Sequence, residues 1–227
     1  MSRKRVAVLI SGRGSNMAAL IEAAKAPSFP AEIALVLSNR PAAAGVAAAR
    51  SAAIATAVVD HTRYGKDRAA FERAMQEHLT AHAIELVCLG GFMRLMTAAF
   101  VESWRGRMIN IHPALLPAFK GLDTHARALA AGVKIHGATV HFVVPEMDSG
   151  PIIMQGALAV REDDDAEKLG ARVLAVEHQI YPAALRLVAS GRVALVDGAC
   201  RLVDVGNTGA KHLQTEYDER HLIVPGI

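Results

Sequence analysis

The chain has 227 residues, 52% apolar and 21% charged, a composition that excludes intrinsic disorder and fits one folded domain better than two. Lys and Arg total 25 against 22 Asp and Glu, with no Lys/Arg run; this excludes nucleic acid as the leading partner but suits small anionic ligands. Cys88 and Cys200 stand far apart, excluding a disulfide scaffold and a Cys-based zinc site, and the apolar run at 6–10 is too short for a signal peptide or a membrane span.

Residues 6–10 read as a buried strand, a Gly-rich turn follows, and 17–25 read as a helix. A second strand at 33–37 ends at Ser38-Asn39-Arg40-Pro41. The Ala-rich stretch 42–53 favours a helix, 56–59 a third strand and 67–81 a charged amphipathic helix. The fourth strand, 86–89, is stopped by Gly90-Gly91. Continuous apolar strands alternating with helices predict a parallel sheet covered on both faces. The fifth strand is 108–112, followed by a loop with Pro113 and Pro117 and a helix at 124–131. Longer strands are expected at 139–144 and 152–160, and a helix begins after Asp163-Asp164-Asp165 with the stripe Leu169, Val173, Val176 and Ile180. Two short strands around Asp197-Gly198 predict a hairpin. The fold class is therefore α/β: an open, mostly parallel twisted sheet with helices on both faces, Rossmann-like, with antiparallel additions toward the C-terminus. One domain is expected over 1–205 and a polar tail, mobile or a docking arm, over 206–227.

Two stretches carry chemistry. Ser11-Gly12-Arg13-Gly14-Ser15-Asn16 lies between the first strand and first helix. Glycines there let backbone N–H groups approach a phosphate, and the helix N-terminus adds partial positive charge. Ser15 and Asn16 are also good caps. The dinucleotide fingerprint fails, because Met17 stands where a third Gly belongs and Ser38-Asn39 where an acidic residue does. The loop alone fits either a phosphate cradle or a tight turn. In Asn110-Ile111-His112-Pro113, strand alternation puts Asn110 and His112 on one side, near the strand end where α/β folds hold ligands. Asp148 lies in a later loop, Pro145 to Pro151. A carboxylate bonded to His112 would orient the ring and favour its charged form. On the residues alone, His112 could equally bond a loop and Asp148 simply form a turn.

Ile10-Ser11-Gly12-Arg13-Gly14-Ser15-Asn16, Gly91-Phe92-Met93-Arg94, Asn110-Ile111-His112-Pro113-Ala114-Leu115-Leu116-Pro117 and Asp148-Ser149-Gly150-Pro151 together resemble the folate-dependent formyltransferases, over about residues 5–205. The resemblance implies transfer of a formyl group from 10-formyltetrahydrofolate to the amine of glycinamide ribonucleotide in purine biosynthesis. The amine attacks directly, so no metal and no covalent intermediate are expected. By match, Asn110 stabilises the oxyanion, His112 is the general acid/base, and Asp148 holds His112 and a bridging water. Gly12, Arg13, Gly14, Ser15 and Asn16 match the ribonucleotide-phosphate loop, and Glu177 the carboxylate that receives the ribose hydroxyls. Arg68, Phe92, Met93, Arg94, Leu95, Met96, Val143 and Met147, together with Asn110, match the folate site. For Leu95 and Met96, core and pocket wall could be the same thing. His141 is expected beside the catalytic centre, and His61, His178, His212 and His221 as solvated or structural.

A cytoplasmic enzyme is expected, monomer or homodimer, with small-molecule substrates and neither nucleic-acid nor membrane partners. A tRNA formyltransferase would need a further C-terminal domain, for which the chain has no room. A formyltetrahydrofolate deformylase would usually carry an added N-terminal domain. A non-catalytic nucleotide-binding module would not need the Asn-x-His-Pro and Asp148 pair.

Overall fold

This computed structural model describes residues 2–203, 216–217 and 222–225. The chain divides into two compact units, 1–110 and 111–227.

The first unit is a parallel sheet in the order β5-β4-β1-β2-β3, formed by β1 (Lys4–Ile10), β2 (Ala31–Ser38), β3 (Thr56–Val58), β4 (Leu86–Leu89) and β5 (Met108–His112), whose last two residues lie beyond the division. Val6 to Ile10 are completely buried, as are Leu35 to Leu37 and Val87-Cys88. Continuous apolar strands are what a sheet covered on both faces requires. The connections are α1 (Ser15–Ala24), α2 (Ala44–Ser51), a 3₁₀ turn at His61–Tyr64, α3 (Arg68–Ala81) and α4 (Ala98–Ser103). Asp67 caps α3 by accepting from Ala70 N at 2.9 Å, and Thr97 caps α4 by accepting from Phe100 N at 3.3 Å. The sequence reading assigns no helix to 98–103. The structure forms one because Thr97 supplies the cap and Phe100 and Val101 turn inward.

In the second unit β6 (Ile135–Phe142) and β7 (Ile152–Ala159) pair antiparallel. β6 begins earlier than the expected 139, since His136 and Ala138 are already buried and paired. The long helix α6 (Ala166–Ala189) packs Val173, Val176, Ile180 and Tyr181 inward and continues through Pro182. Its N-cap is Asp165, accepting from Lys168 N at 2.8 Å. A short helix, α5 (Thr124–Ala130), precedes β6. The expected hairpin is β8 (Val193–Val196) with β9 (Ala199–Leu202), turned by Asp197 and Gly198, both at positive φ. The polar tail lies largely outside the described residues. Its described parts are β10 (Glu216–Tyr217) and β11 (Leu222–Pro225), β11 pairing antiparallel with β7. Among the described residues no helix is long and apolar enough to cross a membrane. The fold is the expected one: an open, mostly parallel α/β sheet with antiparallel strands toward the C-terminus.

Candidate active site

In the first unit the glycine loop leads from β1 into α1. The N-cap of α1 is Gly14, in the left-handed conformation at φ 75°, and no side chain caps the helix. This corrects the expectation that Ser15 and Asn16 serve as caps. Both already lie inside the first turn, because Gly14 takes the left-handed turn that a residue with Cβ adopts at a cost. The uncapped N-terminus leaves first-turn N–H groups without intrahelical partners, and no acidic residue opposes an anion there. Gly12 and Arg13 are exposed, Ser15 half-buried and Asn16 buried. Gly12 O accepts from Gly45 N at 3.0 Å, which holds the loop against the start of α2.

The segment after β4 runs beside this loop. Gly91, at φ 72°, turns the chain out of the sheet. Ser11 Oγ accepts from Met93 N at 2.7 Å, and buried Glu72 accepts from Thr97 N at 2.5 Å and from the Thr97 hydroxyl. Pinned at both points, the segment splays between them: Met93 is 60% and Leu95 61% exposed, with Phe92, Arg94 and Met96 half-buried. Leu95 is thus not core, contrary to the reading that left core and wall equivalent there. Arg68, the first residue of α3, is exposed. Asn110 is half-buried and shares its face of β5 with His112.

In the second unit His112 is buried and meets acceptors at both ring nitrogens. Nε2 lies 3.0 Å from the Phe119 carbonyl. A carbonyl only accepts, so Nε2 carries a proton in this arrangement. Nδ1 faces Asp148 Oδ2 at 3.4 Å, and that oxygen also accepts from Gly121 N at 2.9 Å. His141 Nε2 lies 3.9 Å from Asp148 Oδ1, while its Nδ1 donates to Phe142 O at 2.9 Å. Burial pushes the His141 ring below its ordinary pKa, against the upward pull of the Phe142 carbonyl and Asp148. His141 thus faces the same carboxylate as His112.

Two loops build this corner. Thr139, fully buried on β6, donates to Ala114 O at 2.7 Å and accepts from Leu116 N at 3.0 Å, fixing the chain just after His112. Gln155 on β7 reinforces it by donating to Leu116 O at 2.9 Å. Lys120 Nζ donates to Ser149 Oγ at 2.6 Å, stitching the 113–123 loop to the Asp148 loop. Asp148 sits at φ 50°, a conformation Asp tolerates better than most residues. Gly150 is required two residues on, since a Cβ there would lie 1.7 Å from Phe142 O. Val143 is half-buried and Met147 exposed. Glu177, on α6, is buried rather than solvated.

His61, His125 and His136 each have a polar contact. His61 Nδ1 donates to Asn39 O at 2.8 Å. His125 Nδ1 and His136 Nε2 lie 3.2 Å apart, their rings edge-on. Burial, followed by the His125 and His112 charges, pushes His136 down to about 4. His178 is lowered by burial alone. His212 and His221 lie outside the described residues. Among the described residues no group of three or more His, Cys, Asp or Glu could hold a metal ion.

The sequence reading missed Ser11 as a side-chain participant, together with Asn39, Glu72, Thr139 and Phe119. Only capping-type polar residues beside the motifs could have signalled them.

An uncapped helix behind a glycine loop suits an anion in the first unit, and a buried imidazole facing a carboxylate suits proton transfer in the second. The chain belongs to the formyl transferase family, whose model matches residues 4–185. It is 40% identical over 197 residues to the phosphoribosylglycinamide formyltransferase of Escherichia coli, covering 87% of this chain and 92% of that protein. It is 50% identical over 193 residues to the trifunctional purine biosynthetic protein adenosine-3 of Bos taurus, covering 85% of this chain. The chain spans only 19% of that longer relative. Among solved structures, glycinamide ribonucleotide transformylase 1 from Symbiobacterium toebii superposes with a TM-score of 0.85 at 42% identity, covering 89% of this chain and 95% of that one.

Proposed function

We propose that this formyltransferase moves the formyl group of 10-formyltetrahydrofolate to the amine of glycinamide ribonucleotide, giving formylglycinamide ribonucleotide and tetrahydrofolate in purine biosynthesis. The observation that carries the chemistry is His112, buried, with a carboxylate at 3.4 Å from one ring nitrogen. The near full-length match to the Escherichia coli enzyme supports the choice of substrates.

In this reading the amine attacks the formyl carbon and the carbonyl oxygen takes up negative charge. The Asn110 side-chain amide donates to that oxygen, a contribution of about 2.7–4 kcal/mol for a placed donor. His112 moves the proton from the attacking amine to the departing N10, worth on the order of 10²–10⁴ in rate. Asp148 orients the ring, and its other contacts, Gly121 N and the neighbouring His141, keep it in place. The helix start at Gly12 to Asn16 receives the ribonucleotide phosphate, with Arg13 adding charge, and Glu177 receives the ribose hydroxyls. Arg68, Phe92 to Met96, Val143 and Met147 hold the folate. Met93 and Met147 are both exposed, which leaves each open to an apolar ligand. The enzyme works in the cytoplasm on small molecules alone.

The test is an initial-rate assay with both substrates and mass-spectrometric identification of the product. Formylated ribonucleotide at a rate set by both concentrations supports the reading. Formate release to water, with no formylated amine, overturns the acceptor while keeping the donor.

A further inference from the structure

We propose that Ser11 is a positioning residue whose hydroxyl couples the two ligand subsites of the first unit. It ties the glycine loop, read above as the phosphate cradle, to the 91–96 segment, read above as the folate wall. The coupling rests on that reading of the two segments.

The register of the sheet brings the parts together. β1 and β4 are parallel neighbours with Leu9 opposite Leu89, so Ser11 and Gly91 leave the sheet side by side at the same end. Ser11 N donates to Gly91 O at 3.2 Å. The side chain does more. Asn39 Oδ1 is an acceptor, so the single proton of Ser11 Oγ goes there, at 2.6 Å. The oxygen lone pairs are left for Met93 N, which donates at 2.7 Å. Asn39 is anchored in turn, its backbone carbonyl accepting from His61 Nδ1 at 2.8 Å. Ser11 is 5% exposed and Asn39 1%, so water does not compete for these bonds.

The hydroxyl thus has one orientation, and it joins residue 11, at the edge of the cradle, to residue 93 of the wall, 82 positions away in sequence. Gly12, the next residue, begins the cradle itself. A ligand that settles the cradle also settles the Met93 amide, and the converse holds. Coupling of this kind is reciprocal: each ligand tightens the other by the same factor.

Kinetics with both substrates varied, on folded Ser11→Ala verified by circular dichroism and thermal unfolding, tests the proposal. Removing the hydroxyl takes away the acceptor of the Met93 amide, a net loss that converts to roughly 2–13-fold in binding. The expected result is a KM for the formyl donor raised by that factor and a raised KM for the ribonucleotide, with saturated kcat changed less than about 3-fold. An unchanged donor KM, or a loss confined to kcat, overturns it. Asn39→Ala supplies the second arm. Because Asn39 acts on Met93 through Ser11, the double variant should be no worse in donor KM than Ser11→Ala alone; additive losses overturn the coupling. Amide exchange separates this proposal from the substrate assignment. Should the wild type fail to turn over these substrates, the assignment fails, and inorganic phosphate becomes the probe of the cradle. Phosphate-dependent protection of residues 91–96 in wild type but not in Ser11→Ala supports the coupling, and equal responses in both overturn it.

Discussion

Asp148 Oδ2 serves two partners at once, accepting the Gly121 N–H at 2.9 Å and facing His112 Nδ1 at 3.4 Å. The carboxylate that faces the imidazole is therefore also the one that holds the 113–123 loop. The same loop returns the Phe119 carbonyl to His112 Nε2 at 3.0 Å. Ring orientation and loop closure are a single arrangement.

Asp148→Asn separates charge from shape. The amide oxygen can still accept from Gly121, but the negative charge opposite Nδ1 is gone. We predict that kcat falls on the order of 10²-fold or more, within the range proton transfer contributes, while the unfolding midpoint moves little. Steady-state kinetics alongside urea unfolding checks both.

Glu72 tests the far pin of the 91–96 segment, proposed above to hold the folate. Its carboxylate holds Thr97 N and the Thr97 hydroxyl from a buried position on α3. Glu72→Ala takes the charged acceptor from both Thr97 donors, so about 1–3 kcal/mol of stability should be lost and the formyl-donor KM should rise several-fold. Glu72→Gln keeps one acceptor and should sit near wild type. Equal KM values for all three proteins would detach α3 from the folate site.

Arg13 and Glu177 should act on the ribonucleotide only. Arg13 is exposed in the glycine loop, and Glu177 is buried on α6. Arg13→Ala and Glu177→Gln are expected to raise the ribonucleotide KM several-fold each and to leave the formyl-donor KM unchanged. Matching shifts in both KM values would contradict the division of ligands.

His136 makes stability depend on pH. Burial and neighbouring imidazoles hold it near 4 when folded, whereas the ring titrates near 6.5 when free. Between those values the unfolded chain binds more protons than the folded one. Stability therefore falls as pH drops from about 6.5 toward 4, and this group adds no further loss below that. Urea unfolding at pH 7 and pH 5 should show the decline, and His136→Gln should show a smaller one.

The strands of the first unit were legible because a sheet covered on both faces demands unbroken apolar runs, and residues 6–10 and 86–89 are such runs. Asn110 and His112 were legible because strand alternation fixes their shared face, and Asp148 because a known motif carries it. Helix α4 escaped because six residues hold too little periodicity to register. The Gly14 cap escaped because a left-handed glycine competes with Ser15 and Asn16 in a way composition does not rank. Ser11, Glu72 and Thr139 escaped for a different reason. Each acts on a partner that is distant in sequence, such as Met93 for Ser11, Thr97 for Glu72 or Ala114 for Thr139, and only the folded chain brings them together.

The central claim is that Asn110 and His112 carry formyl transfer to a ribonucleotide amine. It is tested most directly by kcat for Asn110→Ala and His112→Ala with 10-formyltetrahydrofolate and glycinamide ribonucleotide, alongside calorimetric binding of each substrate. The account predicts kcat lower by on the order of 10²-fold or more in each variant, with ribonucleotide affinity retained. Near wild-type turnover in either variant would contradict it.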